Sequence, residues 1–99
     1  MTDFELAIAA VVESTEAGDV MTYGEVATEA GKPGAARAVG SLLAKGGVDC
    51  WWRIVTSTGR LVPGIESEHG QRLRSEGVEI RNGRVPMRRR PDTWIPNDV

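Results

Sequence analysis

The sequence has few of the residues that build disulfides and metal centres. Its 99 residues include one cysteine, Cys50, and one histidine, His69. A single cysteine cannot form an internal disulfide, and one residue of each type is too few for a Cys/His zinc cluster. We therefore predict no structural zinc ion. We also expect no bound cofactor.

Long hydrophobic runs are also missing. The longest uncharged apolar stretch is Leu6–Val12, whereas a membrane-spanning helix needs about 20 apolar residues. The first residues include acids in place of the Lys and Arg of a signal peptide. With no membrane span and no signal peptide predicted, we expect a soluble, cytoplasmic protein. Because a chain of this length buries one core, the sequence also predicts a single domain over residues 1–99.

Basic residues are absent from the first 30 positions, although the net charge of the whole chain is only −2. Those positions contain seven acidic residues, whereas positions 31–62 contain five basic residues and one acid. This asymmetry is typical of a protein that turns one face towards a polyanion. For the N-terminal segment alone, a helix with a solvated acidic face explains the pattern equally well.

Helical periodicity dominates the first part of the chain. Apolar residues recur at helical spacing after Thr2, which predicts a first helix that ends near Gly18. Thr22 and Glu25 form a capping-box pattern at the start of a predicted second helix, Tyr23–Ala30.

A third helix, Ala35–Lys45, follows a glycine-containing turn at 31–34, so the second and third helices form a predicted helix-turn-helix. Arg37 lies among small residues on this helix, which would let the backbone approach a flat partner closely while the guanidinium stands out. These small neighbours are Ala35, Ala36, Ala38 and Gly40. The alternative interpretation of Arg37 is a solvated surface arginine.

The second half of the chain predicts short strands and one further helix. Trp52–Thr56 is β-prone and is predicted to form a hairpin with Arg60–Val62. The fourth helix is predicted at Ile65–Glu76, and an Asn82-Gly83 turn is predicted to join two more strands. Trp94 is expected to fold back and pack. The predicted fold class is mostly α with small β-hairpins, in a winged helix-turn-helix-like single domain.

Three short segments, separated in the sequence, carry a resemblance to a known family. Thr22-Tyr-Gly-Glu-Val-Ala27 and Ala35-Ala-Arg37-Ala-Val-Gly40 resemble the C-terminal DNA-binding domain of the O6-alkylguanine-DNA alkyltransferases, and the resemblance covers roughly residues 4–94. In that family the next strand begins Pro-Cys-His-Arg, and the cysteine accepts the alkyl group of a flipped guanine. The matching residues here are Cys50-Trp51-Trp52-Arg53, so tryptophan occupies the nucleophile position.

This replacement is the mark of the alkyltransferase-like proteins, which are similar in fold and DNA binding but transfer nothing. The resemblance therefore implies a monomer that binds O6-alkylguanine in double-stranded DNA through the minor groove and flips it out. It also implies that nucleotide excision repair proteins are partners. Those relatives usually keep the proline and the histidine, so Cys50 and Trp52 are departures from their pattern.

The chemistry of the residues agrees with a protein that is not an enzyme. Alkyl transfer needs a thiolate, a base that activates it and a group that orients the base. Indole is not a nucleophile, and Trp52 stands at the position of the family's histidine. The helix near Gly70 shows no carboxylate at the position where the family has its orienting glutamate. Cys50 lies one position away, and in an extended segment this shift turns the side chain to the opposite face. An active alkyltransferase that uses Cys50 is the alternative.

The resemblance also assigns roles to individual residues. Arg37 would fill the gap that the flipped base leaves, and Tyr23 would push against the target phosphate. The predicted DNA contacts are Tyr23, Lys32, Ala35, Ala36, Arg37, Ala38, Gly40 and Lys45. The predicted base pocket comprises Tyr23, Trp51, Trp52, Arg53, Arg60, Pro63, Gly64 and Ile65.

Each of these assignments has a structural alternative. Tyr23 would pack on the first helix, Trp51 and Trp52 would be core residues, and Arg53 would pair with acids. For the whole protein, one alternative is a winged-helix regulator whose wing is the Asn82-Gly83 hairpin. Another is a protein interaction module that uses the acidic first helix.

Overall fold

The computed structural model describes residues 1–89, which form four α-helices, two short strands and two 3₁₀ turns. The helices are α1 (Asp3–Glu13), α2 (Tyr23–Glu29), α3 (Ala36–Lys45) and α4 (Glu66–Ser75). The strands are β1 (Met21–Thr22) and β2 (Ile54–Val55), and the 3₁₀ turns are Trp51–Arg53 and Met87–Arg89. No helix in the described residues is long and apolar enough to cross a membrane. The predicted packing of Trp94 lies outside the described residues.

Helices α1 and α2 begin with the same capping device. Thr2 Oγ1 accepts the N–H of Glu5 at 3.1 Å, and the Glu5 carboxylate accepts the N–H of Thr2 at 2.9 Å. Thr22 and Glu25 repeat this exchange at 3.1 and 2.8 Å, as predicted. Both boxes satisfy N–H groups that the first helical turn leaves without a partner.

The first helix is shorter than predicted: it ends at Glu13 and not near Gly18. The hydroxyls of Ser14 and Thr15 donate to the carbonyls three residues earlier, at 2.7 and 2.6 Å. These bonds satisfy the last carbonyls of the helix and stop its continuation.

The strands join two hydrophobic cores. They pair in parallel, with Met21 opposite Ile54 and Thr22 opposite Val55. Because successive side chains of a strand point to opposite faces, Ile54 enters the first core and Val55 the second. The first core is formed by α1, α2, α3 and the strands, and the second by α4 and the segments around it. The β1–β2 pair therefore fixes the C-terminal half against the helix-turn-helix.

The predicted hairpin between Trp52–Thr56 and Arg60–Val62 is reduced to its closing turn, in which the N–H of Thr56 donates to the Arg60 carbonyl at 3.3 Å. Ile54 and Val55 pair with β1, which provides a buried environment on both faces, and the preceding residues form a 3₁₀ turn. Thr56 and Arg60 instead close a tight turn, in which Thr56 Oγ1 accepts the N–H of Arg60 at 2.9 Å. The fold class is confirmed, since helices dominate and the β-structure is small.

The Asn82-Gly83 turn is confirmed, although its strands are minimal. Both residues have positive φ, 56° and 75°, which such a two-residue turn requires. A single antiparallel bridge joins Arg81 to Arg84 across it, where longer strands were predicted. Helix α4 begins and ends within one residue of its predicted limits.

Candidate nucleic-acid interface

A cavity of about 520 Å³ separates α3 from the segment 56–65. Its α3 wall consists of small and apolar residues, Gly40, Leu43 and Ala44. The facing wall is formed by Trp51, Thr56, Leu61, Val62, Pro63 and Ile65. The volume falls within the range of small-molecule sites, about 300–1,000 Å³. A mostly apolar cavity of this size can hold an aromatic ligand.

Four of the eight predicted pocket residues line this cavity: Tyr23, Trp51, Pro63 and Ile65. Tyr23 also packs against the first core, so its predicted role and its structural alternative both describe its position. Burial raises the pKa of the Tyr23 phenol, which keeps the hydroxyl protonated as a hydrogen-bond donor.

The other four predicted pocket residues do not line the cavity. Gly64 lies in the loop between two lining residues, but its N–H already donates to Glu66 Oε1 at 2.9 Å. The N–H of Ile65 likewise donates to the Val62 carbonyl at 3.2 Å. The loop amides that we expected to meet a base edge are therefore bonded within the protein.

Trp51 and Trp52 lie in a 3₁₀ turn, so strand alternation does not decide which way they face. Trp51 lines the cavity, and its ring contacts that of His69 with centroids 5.1 Å apart. Trp52 meets Trp51 edge to face at 6.1 Å and packs against the second core. The pocket alternative therefore fits Trp51, and the core alternative fits Trp52.

Arg53 is a structural residue. It is 8% exposed, and its Nε and Nη2 donate to the two carboxylate oxygens of Glu76 at 3.0 and 2.8 Å. Its Nη1 donates to the Thr15 carbonyl at 2.5 Å. This network explains why the guanidinium lies outside the cavity, because a buried arginine needs a paired acid.

A carboxylate, that of Glu76, lies near the side chain of Trp52. Burial would raise the pKa of Glu76, but the hydrogen bonds from Arg53 and the proximity of the Trp52 indole N–H lower the pKa below its usual value. The buried Trp52 Nε1–H has no acceptor of ordinary geometry among residues 1–89, yet it helps to stabilise this anion. Glu76 is the C-cap of α4. It comes close to Trp52 only when the chain is folded.

His69 was missed as a site residue, and it supports the cavity wall that faces α3. It is fully buried, its Nδ1 accepts the N–H of Val62 at 3.1 Å, and its Nε2 lies 2.8 Å from the Trp52 carbonyl oxygen. Because Nδ1 accepts, the proton is on Nε2 and donates to that carbonyl. Burial lowers the pKa of His69, against the opposing effect of the Trp52 carbonyl. A sequence signal existed, since His69 precedes the buried Leu73 by four residues on one helical face.

The outward face of α3 carries the predicted DNA contacts. Val39 and Leu42 are buried, whereas Arg37 and Ala38 are exposed. Ala35 and Ala36 are half-buried, and Gly40 lines the cavity. Arg37 makes no ion pair with another residue in the range 1–89, so its guanidinium is available to a ligand.

The two predicted phosphate lysines are exposed but already contact α1. Lys32 Nζ lies 4.8 Å from the centroid of the Phe4 ring. Lys45 Nζ lies 3.8 Å from Glu5 Oε2 and is 71% exposed. An exposed pair of this kind is weak, so a phosphate can compete for Lys45.

Arg60 is exposed and does not line the cavity. Its backbone forms an antiparallel β-bridge with that of Arg84. Its predicted role as a pocket residue is therefore corrected. The cause is the tight turn at Thr56, which points Leu61 into the interior and the preceding Arg60 outward.

Comparison with known proteins gives consistent similarities. Residues 3–78 match the family of the 6-O-methylguanine DNA methyltransferase, DNA binding domain. A Vibrio parahaemolyticus protein named DNA base-flipping protein is 36% identical over 95 residues, which cover 90% of this chain and 95% of that protein.

Two solved structures of DNA complexes share the fold. S. pombe Atl1 with damaged DNA containing O6-carboxymethylguanine has a TM-score of 0.81 and 28% identity, covering 97% of this chain and 98% of that chain. Mycobacterium tuberculosis OGT in complex with DNA has a TM-score of 0.69 and 31% identity, covering 78% of this chain and 50% of that chain.

Proposed function

Because the chain belongs to the family of the 6-O-methylguanine DNA methyltransferase DNA-binding domain, we propose that it is an alkyltransferase-like protein that recognises DNA damage. It binds alkylated guanine in duplex DNA and holds the flipped base without removing the alkyl group. The support from relatives is the similarity to a protein named for base flipping and to Atl1 bound to damaged DNA.

The observation that carries this proposal is the cavity wall at Trp51. An alkyl acceptor must present a nucleophilic atom to the bound base, and the indole of Trp51 offers none. Its ring offers a flat apolar surface on which an alkylated base can stack, a contact worth about 1–3 kcal/mol per base. This wall suits binding of the lesion and does not suit transfer.

Cys50 does not compensate for the missing nucleophile. It is not among the residues that line the cavity, and it packs against the first core. Burial raises the pKa of its thiol, although Arg53 opposes the effect, so the thiolate is scarce at neutral pH. Its positive φ of 64° also turns the side chain away from the direction of an extended residue.

The flipping step is assigned to α3. Extrusion of a base costs on the order of a few kcal/mol in lost stacking and pairing, and a side chain must fill the gap. Arg37 is exposed on the face of α3 that carries only small neighbours, which lets the helix approach the minor groove closely. Gly40 and Ala44 then border the cavity on the same helix, so the flipped base has a short path into it.

We further propose that the protein acts as a monomer in the cytoplasm, and that nucleotide excision repair proteins process the DNA that it marks. The support is the resemblance to the alkyltransferase-like proteins.

Two measurements on one set of duplexes test the function. Titration with paired O6-methylguanine and guanine duplexes should show tighter binding to the damaged one. Intact mass analysis after incubation should show an unmodified protein. Equal affinity for both duplexes would contradict lesion recognition, and a stoichiometric gain of one methyl group on Cys50 would show an active alkyltransferase.

A further inference from the structure

Three arginines meet in the short β-structure that follows the cavity. Arg81 and Arg84 exchange both backbone hydrogen bonds, N–H to carbonyl oxygen, at 2.8 and 3.2 Å. On its other side Arg84 bridges to Arg60, beside the hydrogen bond from Val85 N–H to the Gly59 carbonyl at 2.9 Å. Arg84 is thus the central one of three opposed positions, which together we call the arginine patch (Arg60, Arg81 and Arg84).

The three side chains of the patch project from one face. Directly opposed residues in an antiparallel pair point to the same side, with Cβ atoms about 4.5–5.5 Å apart. All three arginines are exposed. The other face is closed, because Leu61 and Val85, the chain neighbours of Arg60 and Arg84, are buried in the second core.

The positive charge of the patch is only partly neutralised by the protein. Arg81 Nη2 lies 2.6 Å from Glu79 Oε2. Arg60 and Arg84 have no ion pair within the described part of the chain. Like charges in opposed positions destabilise a sheet, so this arrangement lowers the stability of the free protein. A bound anion would offset the repulsion.

The patch adjoins the cavity on the side away from α3. Thr56 and Leu61 line the cavity. Thr56 Oγ1 accepts a hydrogen bond from the N–H of Arg60 at 2.9 Å. A DNA strand that inserts a base between α3 and this segment would therefore pass close to the patch. Its next phosphates then reach the exposed arginines.

We propose that the arginine patch is a second contact with the DNA backbone, which binds phosphates of the strand that flank the flipped nucleotide. This inference rests on the proposed function, because the path of the strand follows from base insertion into the cavity. Arginine suits the task, since its guanidinium donates two parallel hydrogen bonds to one phosphate. Phosphate contacts fix the position of the protein on DNA whatever the base sequence.

The salt dependence of DNA binding tests the patch. A triple variant, Arg60→Gln, Arg81→Gln and Arg84→Gln, is compared with the wild type on guanine and O6-methylguanine duplexes over a salt series. The slope of log Kd against log salt concentration should fall by about 2.7, at roughly 0.9 for each phosphate that the protein no longer neutralises. The ratio of the affinities for the two duplexes should stay the same.

Two controls separate charge from side-chain identity and from position. The corresponding triple lysine variant keeps the charge and should recover most of the slope. Arg74→Gln removes an exposed arginine of α4 outside the patch and should leave the slope unchanged. Arg84→Gln, its single-charge counterpart in the patch, should lower the slope by about 0.9.

The outcomes distinguish this inference from the proposed function. If the wild type prefers the damaged duplex and the triple variant keeps the wild-type slope, the patch proposal is overturned and the function stands. If the wild type binds neither duplex, both are overturned. Without DNA, Arg84→Gln should melt at a higher temperature than the wild type, because the central like charge is gone; an unchanged or lower Tm contradicts the proposed repulsion.

Discussion

Glu76 holds Arg53 with both carboxylate oxygens, at 3.0 and 2.8 Å, and this pair fixes the turn that carries Trp51. Arg53 also donates to the Thr15 carbonyl, so the end of α1 and the end of α4 are joined to the same turn. The pair lies outside the cavity but supports one of its walls. Its contribution is therefore to stability and to the placement of Trp51.

Glu76→Gln should destabilise the protein by about 3 kcal/mol, because it leaves the buried Arg53 charge without its counter-ion. Urea denaturation measures the change in the free energy of unfolding. The matched control is Glu68→Gln, which breaks the exposed pair with Arg72 at 3.1 Å and should cost less than about 1 kcal/mol. Equal losses in the two variants would mean that the Arg53 pair contributes no more than a surface pair.

Acidification should destabilise the protein through His69. Burial lowers the pKa of His69 below the ordinary value of 6.5, so the unfolded chain takes up the proton first. The contribution of neutral His69 to the free energy of unfolding is therefore fully present above pH 6.5. It is lost as the pH falls from 6.5 towards the pKa of His69 in the folded protein. Thermal melts over this range measure the loss.

His69→Gln is the control for this pH dependence. A glutamine side chain can accept the Val62 N–H and donate to the Trp52 carbonyl, but it does not titrate. The loss of stability below pH 6.5 should therefore be absent in the variant, and identical profiles would refute the role of His69. Glu76 acts in a lower range, because its stabilisation is complete above pH 4.5 and is lost only as the pH falls through its lowered pKa.

The parts of the fold that the sequence predicted are those that depend on local chemistry. The capping box at Thr22 and the Asn82-Gly83 turn each form within four residues, and both are present. The helix around Arg37 also follows from its own periodicity. Such patterns need no knowledge of distant contacts.

The incorrect predictions concern residues whose partners are far away in the chain. β2 pairs with Met21–Thr22, more than 30 positions earlier, so the predicted strand ladder with Arg60–Val62 does not form. The sequence also did not identify two partners: Glu76, the acid that pairs with Arg53, and His69, which bonds to Val62 and Trp52. Tertiary packing decides these positions, and periodicity alone does not contain it.

Arg37→Ala should weaken binding to the damaged duplex by about 1–3 kcal/mol, because the gap left by the flipped base would stay unfilled. Fluorescence anisotropy at a fixed salt concentration measures the loss. Arg37→Lys is the comparison, since it keeps the charge but not the planar guanidinium. If the lysine variant binds as the wild type does and only the salt slope changes in the alanine variant, Arg37 is an ordinary phosphate contact.

Trp51 should determine the preference for damaged DNA, whereas Lys32 and Lys45 determine affinity for any DNA. Trp51 lines the cavity and is held by the His69 ring at 5.1 Å, so it can contact a base. The lysines are exposed, Lys32 in the turn between α2 and α3 and Lys45 at the end of α3, where they can meet phosphates. Trp51→Ala should therefore reduce the ratio of the two affinities and leave the salt slope intact, while Lys32→Ala with Lys45→Ala should weaken both duplexes and flatten the slope.

Trp51→Phe keeps an aromatic face in the same cavity wall and should retain part of the preference, about 1 kcal/mol less than the wild type. Circular dichroism and thermal melts establish whether each variant is folded. If Trp51→Ala unfolds and Trp51→Phe folds without any preference for the lesion, Trp51 is a core residue that also sets specificity through its shape. If Trp51→Ala folds and the preference survives, stacking on this wall is not how the lesion is recognised. The recognition would then belong to Trp52 or to the loop Val62–Ile65, which also lines the cavity, and Pro63→Ala would test the loop.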